Sequence, residues 1–351
     1  MIDYPLVSVI ITTYNRKKLL VEAINSVLKQ DYTNIEIIVS DNASEDGTDL
    51  VMQEYILEHK NIKYIRREKN VGPYINAKKA YKEATGKYFI FLSDDDYFIS
   101  TTFFTNAVKV MEENDKIVIV RGFVKRYFET KGIISIGNYN SKIYIDGLSY
   151  LLHYLDDGYD QIETTFGFMR KEPMDRSGIF EIKEKHNHFY DVWTYFYIFL
   201  YGDVYFLTDE LVGCYRIQHN GNQMSFNFDI LKDFDGLIDM SQELIRQAIE
   251  LHPEVPVDYI KYAVEKKVSD IVWFNVHRMA EVITYDDAIK LLYDSQLLEI
   301  YPNLKKIYVL NNTKFNKKTF KINIPLILIE KNETYFILNI LGLKLTIKLK
   351  K

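Results

Sequence analysis

The chain has 351 residues, of which 47% are hydrophobic and 26% charged, and its formal net charge is −5. This length allows one large domain with additions or two domains, and the composition is that of a globular protein with no disordered tract. The negative net charge gives no support for nucleic-acid binding as the main role.

The cysteine content and the hydropathy of the sequence exclude several further classes of protein. The single cysteine, Cys214, excludes an intrachain disulfide and a cysteine-based zinc site. The N-terminus lacks the features of a secretory signal, and no apolar run approaches the roughly 18 residues that span a bilayer. We therefore expect a cytoplasmic protein.

The first 100 residues alternate between predicted strands and predicted helices. Apolar runs predict strands at 6–11, 35–40, 61–66 and 88–92, and the segments between them predict helices at 17–29, up to about 60, and at 74–85. This alternation indicates βαβ units, so the fold class is α/β with a mostly parallel sheet. The polar strand ends at 12–15, 41–42 and 93–96 should then lie along one edge.

Three aspartates follow the most apolar of these strands. Asp94, Asp95 and Asp96 stand where a strand buried on both faces should end. Adjacent like charges repel and are costly to bury, so we expect a cation beside them. Clustered carboxylates suit Mg²⁺ or Mn²⁺, ions that usually carry substrate phosphates. This stretch alone allows a second interpretation. The three aspartates could be the acidic start of a helix that opens at residues 100–102.

Four motifs in order resemble a known family. They are VSVIITTYNR, VSDNASEDGT, NVGPYINA and FIFLSDDDYF. Their order and spacing are similar to those of the family-two glycosyltransferases over roughly the first 100 residues, with a looser match to about residue 225. The resemblance implies the GT-A fold, a Rossmann-like mostly parallel sheet with flanking helices, and inverting transfer from a nucleotide-sugar.

The resemblance also implies the residues that bind the donor. These are Thr13, Tyr14, Asn15, Arg16, Asp41, Asp46, Asn70, Gly72, Asp94 and Arg216. An aromatic face is a natural partner for the base, and a carboxylate at position 41 that accepts a ring N–H favours uracil. Taken singly, Asp41 and Asp46 are typical turn and cap residues, and residues 70–72 are a typical turn signal.

The metal ligands implied by the family are Asp95, Asp96 and His219, for Mn²⁺ or Mg²⁺. Asp94 corresponds to the carboxylate near the ribose. The family's usual motif is Asp-x-Asp-Asp, and Ser93 takes the place of its first aspartate here. His219 follows a segment similar to the family's Tyr-Arg-x-x-His stretch, in which Arg216 would hold the diphosphate. The alternative for that segment is an ordinary loop.

The acceptor half begins after residue 100. We predict a helix at 101–114, a strand at 117–124, hairpins over 125–145, a short helix capped by Asp146 and a strand at 163–170. Asp191 opens an aromatic helix, and the resemblance implies that it is the catalytic base, with Tyr190 in place of the usual glutamate. A carboxylate there would take the proton of the attacking hydroxyl. The alternative is a helix N-terminal charge with no chemical role.

The C-terminal third has a different pattern. Three amphipathic helices are predicted at 229–250, 256–280 and 284–299, followed by a lysine-rich tail of short strands at 301–351. We therefore expect a catalytic domain at 1–228, with a donor half at 1–100 and an acceptor half at 101–228, then a helical extension at 229–300. The tail could pack on the helices as a small β-meander, form a homo-oligomer or partner surface, or touch the inner face of the membrane.

The sequence predicts a metal-dependent inverting glycosyltransferase of bacterial polysaccharide biosynthesis. It would move a hexosyl or N-acetylhexosaminyl group from a UDP-linked donor to a hydroxyl of a glycan, a lipid-linked glycan or a surface-polymer precursor. A nucleotidyltransferase would carry a glycine-rich triphosphate loop, which residues 12–18 lack. A non-catalytic nucleotide- or sugar-binding scaffold of the same fold is the other alternative.

Overall fold

The computed structural model describes part of the chain and divides it into two compact units. The described residues are 4–128, 133–136, 143–153, 165–182, 190–217, 236–279, 290, 296–302, 304, 320–324, 327–331, 335–340 and 343–348. One unit comprises Met1–Asn227 and Asp239–Val264, and the other comprises Phe228–Ile238 and Glu265–Lys351.

The helices and strands follow one another in the order expected for an α/β protein. The first half contains β1 (Val7–Thr13), α1 (Lys17–Leu28), β2 (Ile35–Asp41), α2 (Thr48–Glu58), β3 (Ile62–Arg66), α3 (Pro73–Tyr81), β4 (Tyr88–Ser93), β5 (Tyr97–Phe98), α4 (Phe103–Glu113), β6 (Ile117–Phe128), β7 (Ile133–Ile136), β8 (Tyr144–Ile145) and α5 (Gly147–His153). The second half contains β9 (Phe168–Arg170), α6 (Lys171–Ser177), α7 (Tyr190–Ile198), β10 (Asp203–Ile217), α8 (Gly236–Leu251), α9 (Val257–Met279), α10 (Leu297–Ile300), β11 (Phe320–Ile324), β12 (Ile327–Lys331), β13 (Tyr335–Ile340) and β14 (Leu343–Lys348).

The large sheet confirms the predicted α/β class. Its strand order is β3-β2-β1-β4-β9-β6-β10-β5, with β7 added on β6 and β8 on β10. Strands β1 to β4 are parallel to one another, whereas β9 is antiparallel to both of its neighbours. Apolar side chains of β1 and β2 are almost completely buried, as a sheet covered by helices requires.

The strand register brings the polar strand ends together. Thr13 pairs with Asp41, Thr12 pairs with Ser93, and Asp41 pairs with Arg66. These pairs lie at the carboxyl ends of four parallel strands, and the prediction of a shared polar edge is confirmed. In open α/β sheets this edge is where ligands bind.

An aromatic cluster packs around β5, the strand that follows the three aspartates. The ring of Phe98 in β5 packs edge-on against Phe104 and Phe166, with centroids 5.1 Å and 5.2 Å apart. All three side chains are buried. The turn that precedes β5 is therefore attached to a rigid part of the core.

The strand predicted at 163–170 is shorter in the structure. Within the described residues only Phe168–Arg170 is extended, because Phe166 has a positive φ of 64°. The Phe166 ring lies so close to Gly213 that a Cβ on that glycine would meet it at 2.2 Å. Packing under β10 therefore overrides the β propensity of this segment.

Other local predictions can be compared with the described residues. Of the hairpins predicted over 125–145, one is confirmed as the pairing of β6 with β7, and Asp146 caps α5 by accepting the Ser149 N–H at 2.7 Å. β8 pairs with β10 rather than with a sequence neighbour. The helix predicted at 284–299 falls mostly outside the described residues.

The second unit contains a small antiparallel sheet. Strands β11, β12, β13 and β14 pair in sequence order, which confirms the short strands predicted for the tail. Within the described part of the chain, no helix is both long and apolar enough to cross a bilayer.

Candidate active site

The loop after β1 joins the loop after β2 through Asn15. Asn15 has a left-handed φ of 53°, its N–H donates to Ser44 Oγ at 2.9 Å, and its Oδ1 accepts the Glu45 N–H at 2.7 Å. Asparagine tolerates this conformation better than most residues. The neighbouring Tyr14 is 44% exposed. Asn15 therefore fixes the main chain that presents the Tyr14 ring.

Asp41 is fully buried and engaged on both oxygens. Its Oδ1 accepts the Ser44 N–H at 2.8 Å, its Oδ2 accepts the Tyr64 hydroxyl at 2.6 Å, and Arg66 Nε lies 3.8 Å from Oδ2. Burial, together with the Asp41 carboxylate, raises the pKa of the Tyr64 hydroxyl, which stays protonated as the donor. Direct contact with a base would require one of these partners to move. The donor-binding role of Asp41 stays a prediction.

Asp46 caps two helices. Its Oδ2 accepts the Lys17 N–H at 2.8 Å, and its Oδ1 accepts the Thr48 N–H at 3.2 Å and the Thr48 hydroxyl at 2.6 Å. The capping alternative for Asp46 is therefore what the described contacts support. Burial alone would raise its pKa, but these donors hold the pKa of Asp46 below its ordinary value.

A pair of asparagines links β2 to α3, and sequence reasoning missed half of it. Asn42 donates to Asn70 Oδ1 at 2.8 Å and accepts the Val71 N–H at 2.9 Å, while Asn70 Oδ1 also accepts the Gly72 N–H. Gly72 has φ 81° and precedes α3. Asn42 lies in the second quoted motif, directly after Asp41, and this position was its only signal.

The three aspartates form a tight turn, closed by the Asp96 N–H that donates to Ser93 O at 3.1 Å. The chain leaves this turn as β5, and α4 begins only at Phe103. The interpretation of the aspartates as an acidic helix start is therefore wrong.

The expected cation is Arg16. Its Nη1 atom lies 3.0 Å from Asp94 Oδ1 and 3.0 Å from Asp95 Oδ2. Burial alone would lower the pKa of Arg16, but the carboxylates of Asp94 and Asp95 raise it. Arg16 was predicted as a donor ligand, and its described ion pairs are with the aspartates.

Burial dominates the electrostatics of the turn. It raises the pKa of the Asp94 carboxyl to about 6, against the opposing effect of Arg16. It also raises the pKa of Asp95, and it raises that of Asp96 further because Asp95 adds like charge. A second cation near these groups would favour their charged forms.

Arg216 reaches the turn through its main chain. Its N–H donates to Asp96 Oδ1 at 2.8 Å, while its guanidinium donates to Glu22 Oε1 at 2.7 Å and lies over the Tyr97 ring at 4.8 Å. The Arg216 charge also lowers the pKa of Asp95, although burial and Arg16 have larger effects. Glu22 and Tyr97 were not predicted as site residues.

The turn carries carboxylates, the type of ligand that divalent metal ions prefer. Asp94 and Asp95 already direct one oxygen each at a single cationic nitrogen, and the buried Oδ2 of Asp96 has no hydrogen-bond partner among the described residues. Mg²⁺ is commonly held by one or two carboxylates together with substrate phosphates, so a full protein cage is not required. No group of three His, Cys, Asp or Glu side chains within the described ranges is arranged as a complete site.

Asp191 occupies the first turn of α7, as predicted. Its Oδ1 accepts the Val192 N–H at 2.9 Å, and the side chain is half-buried. The helix is anchored by the fully buried Trp193 and by the Tyr197 hydroxyl, which donates to Met240 O at 2.7 Å. His219 lies outside the described residues.

Comparisons with known proteins agree with this geometry. The sequence model described as "Glycosyl transferase family 2" matches residues 8–177. The chain is 34% identical over 135 residues to the GalNAc(5)-diNAcBac-PP-undecaprenol beta-1,3-glucosyltransferase of Campylobacter jejuni, covering 37% of this chain and 44% of that protein. It is 32% identical over 117 residues to the poly(ribitol-phosphate) beta-N-acetylglucosaminyltransferase TarS of Staphylococcus aureus, covering 32% of this chain and 20% of TarS.

Solved structures show the same fold. The crystal structure of Staphylococcus aureus TarS 1–349 with UDP-GlcNAc matches with a TM-score of 0.56 and 18% identity, covering 87% of this chain and 91% of that one. The same fragment with UDP matches with a TM-score of 0.58 and 15% identity, covering 93% and 97%. The chain spans less than two thirds of the length of the curated relatives it matches. Residues 8–177, just under half of the chain, therefore match glycosyl transferase family 2.

Proposed function

We propose that the chain is a metal-dependent inverting glycosyltransferase that moves a hexose or N-acetylhexosamine from a UDP-sugar to a hydroxyl of a surface-polymer precursor. The observation that carries the proposal is the meeting of Tyr14, the loop held by Asp41 and the aspartate turn at one edge of the parallel sheet. Ligands of open α/β sheets bind at this edge.

The donor site combines an aromatic face with carboxylates. The exposed ring of Tyr14 offers a stacking surface for a base. Asp95 and Asp96, the expected ligands, would hold Mn²⁺ or Mg²⁺ beside the diphosphate. We add Asp94, which was expected near the ribose, because it shares the Arg16 Nη1 atom with Asp95. When bound, the metal supplies positive charge against the charge that develops on the leaving diphosphate.

The reaction needs one general base, and Asp191 is our assignment. Its carboxylate takes the proton of an acceptor hydroxyl while that oxygen attacks the anomeric carbon. The bond from this carbon to the diphosphate oxygen breaks on the opposite side, so the anomeric configuration inverts. Asp191 lies at the start of α7 with its side chain half-buried, which suits an acceptor that arrives from solvent.

The relatives support a polymer or lipid-linked acceptor. The names of two of them specify a PP-undecaprenol glycan and a poly(ribitol-phosphate). We infer the same broad acceptor class for this chain. A lipid-carried acceptor would bring a cytoplasmic enzyme to the inner face of the membrane.

Calorimetric titration tests the donor assignment. UDP, GDP and dTDP are titrated into the protein in Mn²⁺ and then in EDTA, and folding is checked by circular dichroism. We expect UDP to bind in Mn²⁺ and to bind more weakly in EDTA. Folded protein that binds none of the three nucleotides would overturn the donor site.

A further inference from the structure

Arg16 covers the carboxylates that a metal would use. One nitrogen, Nη1, bridges Asp94 Oδ1 and Asp95 Oδ2 at 3.0 Å each, and the Asp94 and Asp95 side chains are only 5% and 11% exposed. A divalent ion approaches carboxylate oxygens to about 2.0–2.6 Å. Nη1 lies between these two oxygens, so an ion that bridges them from the same side must take the place of the guanidinium.

We propose that Arg16 is an internal counter-cation that competes with the divalent ion for Asp94 and Asp95, and that the donor diphosphate releases these aspartates by binding the guanidinium. The inference rests on the proposed function. Arg16 is then a positioning residue that links the order of metal and nucleotide binding. It is not a general acid or base.

The main chain of Arg16 is fixed while its side chain spans the site. Its carbonyl accepts the N–H groups of Leu19 and Leu20, both at 3.0 Å, at the start of α1. The side chain makes no helix-capping hydrogen bond and reaches from this fixed point to the aspartate turn. Rotation of the side chain alone can thus transfer the guanidinium from carboxylates to phosphate, a ligand that its planar donors match equally well.

The negative charge of the aspartate turn explains why a cation is needed there when no metal ion is bound. Three buried carboxyls occupy adjacent positions, and buried like charges without a partner destabilise a fold strongly. The Arg216 guanidinium, a second cation that acts on Asp95, is bound to Glu22. Arg16 therefore carries most of the compensation until a divalent ion replaces it.

The test is Mn²⁺ affinity without nucleotide, measured by electron paramagnetic resonance. Arg16→Gln removes the competing charge, and we expect it to bind Mn²⁺ about tenfold more tightly than wild type, a difference of about 1.4 kcal/mol. Arg246→Gln is the matched control, because Arg246 pairs with Glu243 and Glu250 on the surface of α8. It should bind Mn²⁺ as wild type does.

Thermal unfolding gives a second readout. Arg16→Gln should melt below wild type in EDTA and should recover more than wild type when Mn²⁺ is added. Equal Mn²⁺ affinity of Arg16→Gln and wild type, or a loss of stability that Mn²⁺ does not recover, would overturn the inference. If Arg16→Gln does not fold at all, Arg16→Met, which also removes the charge but keeps an apolar side chain of similar length, decides the matter. Tighter Mn²⁺ binding than wild type supports the competition, and equal binding rejects it.

The UDP titration separates this inference from the proposed function. Wild-type protein that binds neither UDP nor Mn²⁺ under any condition contradicts both. Wild-type protein that binds UDP with Mn²⁺, alongside an Arg16→Gln variant that gains no affinity for Mn²⁺ alone, contradicts only the role of Arg16.

Discussion

The Oδ2 atom of Asp46 accepts the backbone N–H of Lys17 at 2.8 Å, although Asp46 lies in the loop after β2 and Lys17 opens α1 after β1. The other oxygen of Asp46 serves the start of α2 through Thr48. One carboxylate thus accepts a backbone N–H from the first turn of both α1 and α2. These helices follow β1 and β2, so Asp46 also fixes the distance between the loops that carry Tyr14 and Asp41.

Asp46→Ala should lower the free energy of unfolding by about 1–3 kcal/mol, because loss of a single N-cap costs about 0.5–2 kcal/mol. Asp49→Ala is the matched control, since Asp49 lies in the first turn of α2. It should cost about 0.5 kcal/mol through the helix dipole. Urea denaturation measures both, and equal losses would contradict the capping role.

The same carboxylate gives a pH dependence. Hydrogen bonds hold the folded-state pKa of Asp46 below its ordinary value of 3.8, against the effect of burial. Its contribution is therefore complete above pH 3.8 and is lost as the pH falls through the folded-state pKa. The stability difference between wild type and Asp46→Asn should narrow from pH 7 to pH 3. A difference that stays constant would rule out this linkage.

Tyr14→Ala should weaken UDP binding by about 1–3 kcal/mol, the usual contribution of one base stacked on an aromatic ring. This corresponds to roughly 5- to 150-fold in the dissociation constant. Tyr4→Ala is the matched control, because Tyr4 is also exposed and packs edge-on against Tyr32, away from the polar sheet edge. Calorimetry compares the two, and an unchanged affinity of Tyr14→Ala would remove the stacking role.

Asp191→Asn should reduce turnover by about 10²–10⁴-fold, the range expected for loss of a general base. UDP affinity should stay at the wild-type value. Asp258→Asn provides the control, since Asp258 also lies in the first turn of a helix, α9. If Asp191→Asn keeps wild-type turnover with the native acceptor, Asp191 is a helix N-terminal charge only.

Gly72→Ala should destabilise the protein by about 1–3 kcal/mol through backbone strain alone. Gly72 has φ 81° and ψ 161°, a region almost restricted to glycine, and a Cβ there meets nothing within 4 Å. Gly178→Ala is the matched control, because a Cβ at Gly178 also meets nothing within 4 Å. The backbone of Gly178 differs, since its φ of 62° and ψ of 14° lie in the left-handed helical region. That variant should lose only about 1 kcal/mol. Chemical denaturation ranks the two.

Local sequence patterns predicted most of the strands and helices of the donor half. Apolar runs and helical spacing identify β1 to β4, and parallel pairing then brings Thr13, Asp41 and Asp94 to one edge without further information. The cation beside the aspartates was expected from their charge. Its identity was not, because Arg16 is 78 positions from Asp94 and only the fold brings them together.

Other features depend on tertiary packing and leave little trace in the sequence. β5 has two residues and exists because β10 pairs with it. The positive φ of Phe166 follows from the space beneath Gly213. Asn42 has an effect only once Asn70 is next to it, and an asparagine beside a strand end is otherwise an ordinary turn residue.

The irregular pairing of β10 with β6 determines where the chain can change length during evolution. The register shifts between Leu207 and Leu211, where the extra residues include Glu210, which binds Thr102 and Asn106. Side chains alternate along a strand, so deleting one residue there would turn Arg216 to the other face and withdraw its N–H from Asp96. Homologues that keep this site should therefore vary in length elsewhere and conserve the length of this bulge.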